Sequence, residues 1–446
     1  MIHARLQQKR PFVTLFLVFV LWKAILILIT LGSPGVGYDT STSLLPLQGH
    51  SWTLQTLPPA FQSQWLRWVR WDAIYFTHIA EHGHVYEQEW AFGVGFSTAT
   101  SWIANILSAW AVVDESASTI IAAMLLSHTA HLLSVVQLFF LGHLLSDGAS
   151  HTQSPIPFRA ALLHILSPAG IFLSSPNAES TFAFLSMSGC VAYVYAVHRF
   201  HRSQPLAGSL AMIAAGLALG AATIFRSNGL LAGLTFLVEA FSVLFSIATQ
   251  GLSALRLLRL VSTIVGGSLI AVGLAIPQVM AFQDYCAHRP NDLRREWCNR
   301  TIPSIFTWVQ DHYWNVGLFR YWTLSNLPLF LLAAPALFIL SYSALDLMYA
   351  PRLLSTVKPR SSEKVSLRDK TTVVALALPQ LLIAILALTS YHVQIITRLS
   401  SGYPLWYIWL ASQMESRAQM TQITIRWMVV YALLQAGLYA GFLPPA

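Results

Sequence analysis

Charge is scarce in this chain. Only 10% of its 446 residues are Asp, Glu, Lys or Arg, against about a quarter in ordinary soluble domains, and 55% are apolar. No polar stretch is long enough to form a separate soluble domain, which excludes a water-soluble globular protein. Motifs for nucleotides, metals and activated serines are also missing. There is no P-loop, no Gly-x-Gly-x-x-Gly, no Gly-x-Ser-x-Gly elbow and no His-Glu-x-x-His. The 18 acids never form an Asp-x-Asp pair, so a metal-bound nucleotide-sugar donor is not expected, and no metal-ligand residue and no cofactor is assigned. With three cysteines the chain is not a disulfide-stapled scaffold. No internal repeat is apparent. The net charge of +8 is scattered over short loops, which fits membrane topology rather than nucleic-acid binding.

What the chain does have is long apolar runs. Crossing a bilayer as a helix takes roughly 20 apolar residues. Candidate spans are 12–31, 119–145, 158–175, 181–198, 207–224, 229–248, 259–281, 323–345, 372–390, 404–414 and 426–443, of which 404–414 is short. The expected fold class is therefore an all-α polytopic membrane protein, a single transmembrane domain over 1–446 with about 9–11 spans. The first span follows Arg5, Lys9 and Arg10, and lacks the usual small-residue cleavage site. It reads as a retained signal anchor with residues 1–11 in the cytosol.

Loops rich in Lys and Arg face the cytosol. These are Arg199/Arg202, Arg256/Arg259, the flexible stretch 352–370 (within a cytosolic loop 346–371) and Arg417/Arg426. Parity then makes 33–118 the first lumenal loop and 283–322 a second. The apolar stretch 91–113 cannot be a full crossing, and is expected to dip into the membrane or lie along its surface. Gly93, Gly95, Trp102 and Trp110 fit such a segment.

The loop 283–322 is basic, with Arg289, Arg294, Arg295 and Arg300, against the usual charge rule. It also holds Cys286 and Cys298, candidates for a disulfide, beside the glycosylation sequon at Asn299, which together argue for an oxidising lumen. Its arginines are explained either by an anionic phosphate ligand or by plain surface charge. Cys190, inside an apolar run, reads as a packed thiol.

Asp72 is the residue least suited to its surroundings. Residues 65–83 read WLRWVRWDAIYFTHIAEHG. Wound as one helix ending at Gly83, they place Trp65, Trp68, Val69, Phe76 and Ile79 on one face, with Asp72 in the middle of that stripe. Arg67, Arg70, Thr77, His78 and Glu81 take the other face. A carboxylate among tryptophans is costly unless something uses or pairs it. Asp72 is thus either a catalytic base or an ordinary acid neutralised by Arg70 or Arg67.

Other polar groups gather at span ends on the same side. Glu179 opens a helix, where an acid favours the N-terminal dipole. Arg226, within Phe225-Arg226-Ser227-Asn228-Gly229, interrupts an apolar run. It is either a structural partner of Glu179 or a phosphate clamp. His312, Tyr313 and Trp314 read as interfacial anchors or a sugar-stacking platform. His392 and Arg398 lie in the last lumenal loop and are candidates to hold a diphosphate or headgroup.

These residues resemble a known family. Arg70-Trp71-Asp72-Ala73 with Ile79-Ala80-Glu81-His82-Gly83 is similar to the first lumenal loop of the GPI mannosyltransferase 2 family, in its fungal form. So are Ser167-Pro168-Ala169 with Glu179, Arg226-Ser227-Asn228-Gly229, Trp297-Cys298-Asn299, and Tyr313-Trp314-Asn315-Val316-Gly317. Arg320-Tyr321-Trp322 and Leu331-Leu332-Ala333-Ala334-Pro335 continue the match. One departure is local. Val94 and Ser97 stand where the family usually has prolines, in a run whose glycines still permit a tight turn.

The resemblance implies a GT-C glycosyltransferase-like helix bundle in the endoplasmic reticulum membrane, with its active site facing the lumen. It implies dolichyl-phosphate mannose as donor and transfer of the second mannose, in α-1,6 linkage. The acceptor would be the mono-mannosylated glucosaminyl-phosphatidylinositol lipid, the GPI precursor. Asp72 maps to the expected base. Arg70, Trp71, Glu81, Glu179, Arg226, Asn228, His392 and Arg398 are the substrate-binding candidates. A small accessory membrane subunit is a further implied partner. Two other readings compete: another polyprenyl-phosphate-sugar transferase of the same fold, and a lipid transporter. The transporter reading lacks the matched broken helices of internal repeats.

Overall fold

The computed structural model describes residues 10–33, 64–110, 115–146, 154–287, 289–290, 294–350 and 367–443. The flexible cytosolic stretch expected at 352–370 falls almost wholly outside them, as do Arg5 and Lys9. Among the described residues all regular structure is helical. In chain order the helices are α1 (Pro11–Gly32), α2 (Asp72–His82), α3 (Gly95–Trp110), α4 (Glu115–Leu145), α5 (Ile156–Ile165), α6 (Glu179–His201), α7 (Pro205–Phe225) and α8 (Gly233–Gln250). There follow α9 (Ala254–Phe282), α10 (Ile305–His312), α11 (Leu327–Tyr349), α12 (Leu367–Thr389), α13 (Ile396–Leu399), α14 (Leu405–Ser412) and α15 (Ala418–Ala440). Among the described residues nine helices are long and apolar enough to cross a membrane: α1, α4, α6, α7, α8, α9, α11, α12 and α15. The protein is a multi-pass, all-α membrane bundle.

Two expected spans do not form full-length helices. At 158–175 only the ten-residue α5 forms, followed by an irregular segment over 166–178. At 404–414 the eight-residue α14 is preceded by the short α13 and further turns. Pro168, Pro176 and Pro404 interrupt the helical ladders. Irregular backbone survives at this depth only when other protein groups satisfy it. Here they do. Ser174 and Ser175 donate their backbone N–H to Ile171 O at 2.8 and 2.9 Å, and Ser127 Oγ donates to Ser175 O at 3.0 Å. The two interrupted passages also hold each other: Tyr407 donates to Ser167 Oγ at 2.8 Å, and His164 pairs with Ser401 O at 3.1 Å.

Residues 64–110, 283–287, 289–290 and 294–323 cover one end of the bundle, called here the upper end. The expected single helix over 65–83 is broken there. Trp71 takes a φ of 54°, a left-handed value costly for a bulky residue, and α2 starts only at Asp72. The cause is packing. The Tyr439 hydroxyl donates to Trp68 O at 2.9 Å, Arg70 lies over the Phe442 ring at 5.1 Å, and Trp71 meets Phe442 edge to face. The end of α15 therefore clamps residues 68–71, and the helix restarts beyond them. Gly83 (φ 75°) ends α2, its N–H donating to Ile79 O at 2.9 Å.

The turn that departs from the family's proline pattern is made by glycine. Gly93 has a φ of 71°, and a Cβ there would come within 2.6 Å of Ile224 O. α3 follows with sixteen residues, short of the roughly 20 that span a bilayer.

Candidate active site

A cavity of about 480 Å³ opens at the upper end between α2, the end of α7, the start of α10 and the loop before α13. Asp72 and Arg226 both line it. Placing Asp72 in the first turn of α2, rather than mid-helix, sets its carboxylate against the positive end of the helix dipole.

Four charges form one network. Asp72 Oδ2 lies 2.6 Å from Arg398, Arg398 lies 2.5 Å from Glu179 Oε1, and the same oxygen lies 2.8 Å from Arg226. Exposure separates their roles. The Glu179 and Arg398 side chains are 1% and 8% exposed, while those of Arg226 and Asp72 reach 14% and 26%. Two carboxylates and two guanidiniums cancel, which makes burial tolerable; removing one member strands another. Arg398 also lies over the Phe172 ring at 4.0 Å. The expected partners of Asp72 are thus corrected. Arg70 is buried over Phe442 and does not line the cavity, and Arg67 donates to Leu31 O and Ser33 O at the end of α1. Neither local arginine neutralises Asp72; one 326 residues away does.

The remaining walls are aromatic and polar. Tyr75 stacks on Phe92 at 4.6 Å, and Trp314 meets Phe92 edge-on at 5.6 Å. Burial, then the charges of Asp72 and Glu89, push the Tyr75 phenol up, so it stays a neutral hydroxyl near the carboxylate. His392 lines the cavity, pairs with Trp314 O at 2.9 Å and stacks on Tyr321. Asn228 lines it too, donating to Tyr403 Oη at 3.3 Å. Trp71 contributes its ring. Glu81 does not line the cavity; it lies in the last turn of α2, among the charges acting on His78.

Tyr75 and Gln310 line the cavity, and no motif in the sequence singled them out. Two structural carboxylates were also missed, in the run Glu87-Gln88-Glu89-Trp90. Glu89, 1% exposed, accepts from Val85 and Tyr86 N–H at 2.7 and 2.9 Å and pairs with His78 at 2.5 Å. That bond holds His78 above its ordinary value despite partial burial. Glu87 takes a bidentate pair from Arg295 at 2.6 and 2.7 Å and a hydrogen bond from Tyr313 at 3.0 Å. Burial pushes its carboxyl up, but hydrogen bonds from Arg295, Trp297 and Tyr313 outweigh this and hold it below the usual carboxylate range.

The basic loop is explained by those contacts. Arg295 serves Glu87, Arg289 lies over Tyr285 and Arg300 over Trp308. Arg294 donates to Arg289 O. None of the four lines the cavity, so the phosphate reading of this loop gives way to a packing one. Cys286 and Cys298 are joined, with Cα atoms 5.6 Å apart, and Asn299 beside them is exposed. Of His312, Tyr313 and Trp314 only Trp314 lines the cavity; His312 stacks on Trp308 and Tyr313 serves Glu87.

The family described as Mannosyltransferase (PIG-V) matches residues 10–446. GPI mannosyltransferase 2 of Aspergillus oryzae is 41% identical over 99% of this chain and 97% of its own length. That of Gibberella zeae is 42% identical over 98% and 99%. GPI alpha-1,6-mannosyltransferase 2 of Rattus norvegicus is 31% identical over 78% and 73%. Among solved structures, the archaeal oligosaccharyltransferase AglB of Archaeoglobus fulgidus, in complex with an inhibitory peptide and a dolichol-phosphate, aligns with a TM-score of 0.46 and 12% identity. It covers 95% of this chain, which spans 56% of that longer one.

Proposed function

For a chain that belongs to the PIG-V mannosyltransferase family, we propose transfer of the second mannose of the GPI precursor, in α-1,6 linkage, from dolichyl-phosphate mannose. The observation that carries the reading is a carboxylate, Asp72, sharing one cavity with the guanidinium of Arg226. Such a pair suits displacement at a sugar carbon with a phosphate leaving group. The acceptor 6-hydroxyl gives its proton to Asp72 as its oxygen bonds to the donor sugar carbon. The bond from that carbon to the phosphate oxygen breaks on the opposite face, inverting the centre. Arg226 stabilises the charge on the departing dolichyl phosphate. A phosphate leaves readily, so no general acid is required.

Arg398 and Glu179 lie behind these two groups and hold them; Tyr75, Phe92 and Trp314 offer flat apolar faces suited to a sugar ring. The upper end faces the lumen of the endoplasmic reticulum in this reading, supported by the Cys286–Cys298 bridge and the exposed Asn299 sequon at the same end.

The test is transfer from radiolabelled dolichyl-phosphate mannose to a mono-mannosylated GPI lipid, in microsomes lacking the endogenous activity. Asp72→Asn is expected to accumulate normally and to lose about 10²–10⁴-fold in kcat. Near-normal transfer by that variant removes Asp72 as base. Absence of product with wild type, even after an accessory membrane subunit is supplied, removes the assigned acceptor.

A further inference from the structure

The first helix carries an ionisable side chain at a depth where a plain anchor carries none. Lys23 is the one charged residue between Phe12 and Leu31, and it is 4% exposed. Around it α1 divides into two faces: Leu17, Leu21 and Leu28 are exposed, while Leu15, Phe19, Trp22 and Leu26 are buried. A lysine that was merely tolerated would extend along the helix to reach water. This one turns inward. Its Nζ donates to Leu173 O and to Ser174 Oγ, both at 2.7 Å. An ionisable group at such depth is expensive and needs a use.

Its two partners belong to the segment 166–178 between α5 and α6, which holds one short 3-10 turn, Gly170–Leu173, in place of a full helix. That segment is one step from the charged network. Leu173 O also accepts from Ser180 Oγ at 3.0 Å, in the first turn of α6, beside Glu179. Phe172 lies under the Arg398 guanidinium. Glu179 binds both Arg398 and Arg226, and Arg398 holds Asp72.

We propose that Lys23 is a positioning residue for sugar transfer, pinning the 171–179 segment so that Phe172 and Glu179 hold Arg398, and through it Asp72, in place. The first span is then part of the catalytic scaffold as well as an anchor. Lys23 does not line the cavity; it supplies two hydrogen bonds to backbone and hydroxyl groups that otherwise lie buried with fewer partners. The catalytic part of this inference rests on the transferase reading.

The test compares wild type, Lys23→Met and Ser174→Ala, each as the full chain at matched levels of folded protein. Two readouts are taken: steady-state transfer kinetics and amide hydrogen exchange. Lys23→Met is expected to lower kcat about 10–100-fold, the scale of an ångström-level misplacement, with KM for the acceptor lipid within about twofold. Exchange should rise in 171–179 and stay unchanged in α9. Ser174→Ala, which removes one of the two bonds, should show the same pattern more weakly, and carries the test if Lys23→Met fails to accumulate. Unchanged kcat, or faster exchange throughout the bundle with kcat and KM both disturbed, overturns the proposal. If wild type transfers no mannose, the transferase reading falls; exchange then decides alone, and unchanged protection at 171–179 overturns the positioning role.

Discussion

At the scale of single residues, burial sorts the charged side chains. Glu179 accepts from two guanidiniums at 1% exposure, whereas Glu81, on the same end of the molecule, lies outside the cavity. Replacing Glu179 by Gln leaves two guanidiniums, that of Arg398 buried and that of Arg226 partly so, with one carboxylate to share. Breaking such a pair costs about 3–5 kcal/mol. Glu179→Gln is therefore expected to lower both the thermal midpoint and transfer, while Glu81→Gln keeps near wild-type transfer. Side-by-side melting curves and transfer assays check both. Equal behaviour of the two variants would contradict the assignment.

At the scale of elements, α2 and the turn after it are tied by one titratable contact. His78 is held above its ordinary value by the Glu89 bond. For a group whose folded value is raised, the stabilisation is fully present below the unfolded value of about 6.5 and is lost as pH rises through the folded value. Wild type is thus expected to lose stability from about pH 6.5 upward relative to His78→Gln. Melting midpoints of detergent-purified protein at pH 6 and pH 8 test this, and a His78→Gln difference independent of pH would refute it. The restart of α2 at Asp72 belongs to this scale as well. Helical periodicity drew a single helix over 65–83, and the contacts of Tyr439 and Phe442 with residues 68–71 override it. Propensity is a weak prior where tertiary packing competes.

At the scale of the whole molecule, the upper end is stitched together by contacts far apart in sequence. The Cys286–Cys298 bridge closes a loop whose Trp297 and Arg295 anchor Glu87 of the first loop. Cys298→Ser is expected to cost about 3 kcal/mol, measured as a drop in melting midpoint matched by reduction of wild type. No drop in either case would mean that the bridge adds nothing to the fold.

The chain's hydropathy determined the class of molecule: long uncharged runs leave a bilayer as the only solvent in which they are stable. It also pointed to Asp72, Arg226, Glu179 and Arg398, because ionisable groups next to apolar runs are too costly to be there without partners. Tertiary structure alone decided which partner each one takes. Asp72 pairs with Arg398 rather than Arg70, and Arg289, Arg295 and Arg300 turn to Glu87 and to aromatic rings. It also decided that 158–175 is a broken passage and that 404–414 forms only a short helix, since prolines weaken a helix locally while distant donors, Lys23 and Ser127 among them, help to satisfy the backbone they release. Charge and hydropathy are properties of a residue and its neighbours along the chain; pairing depends on which helices meet, and that is settled by packing.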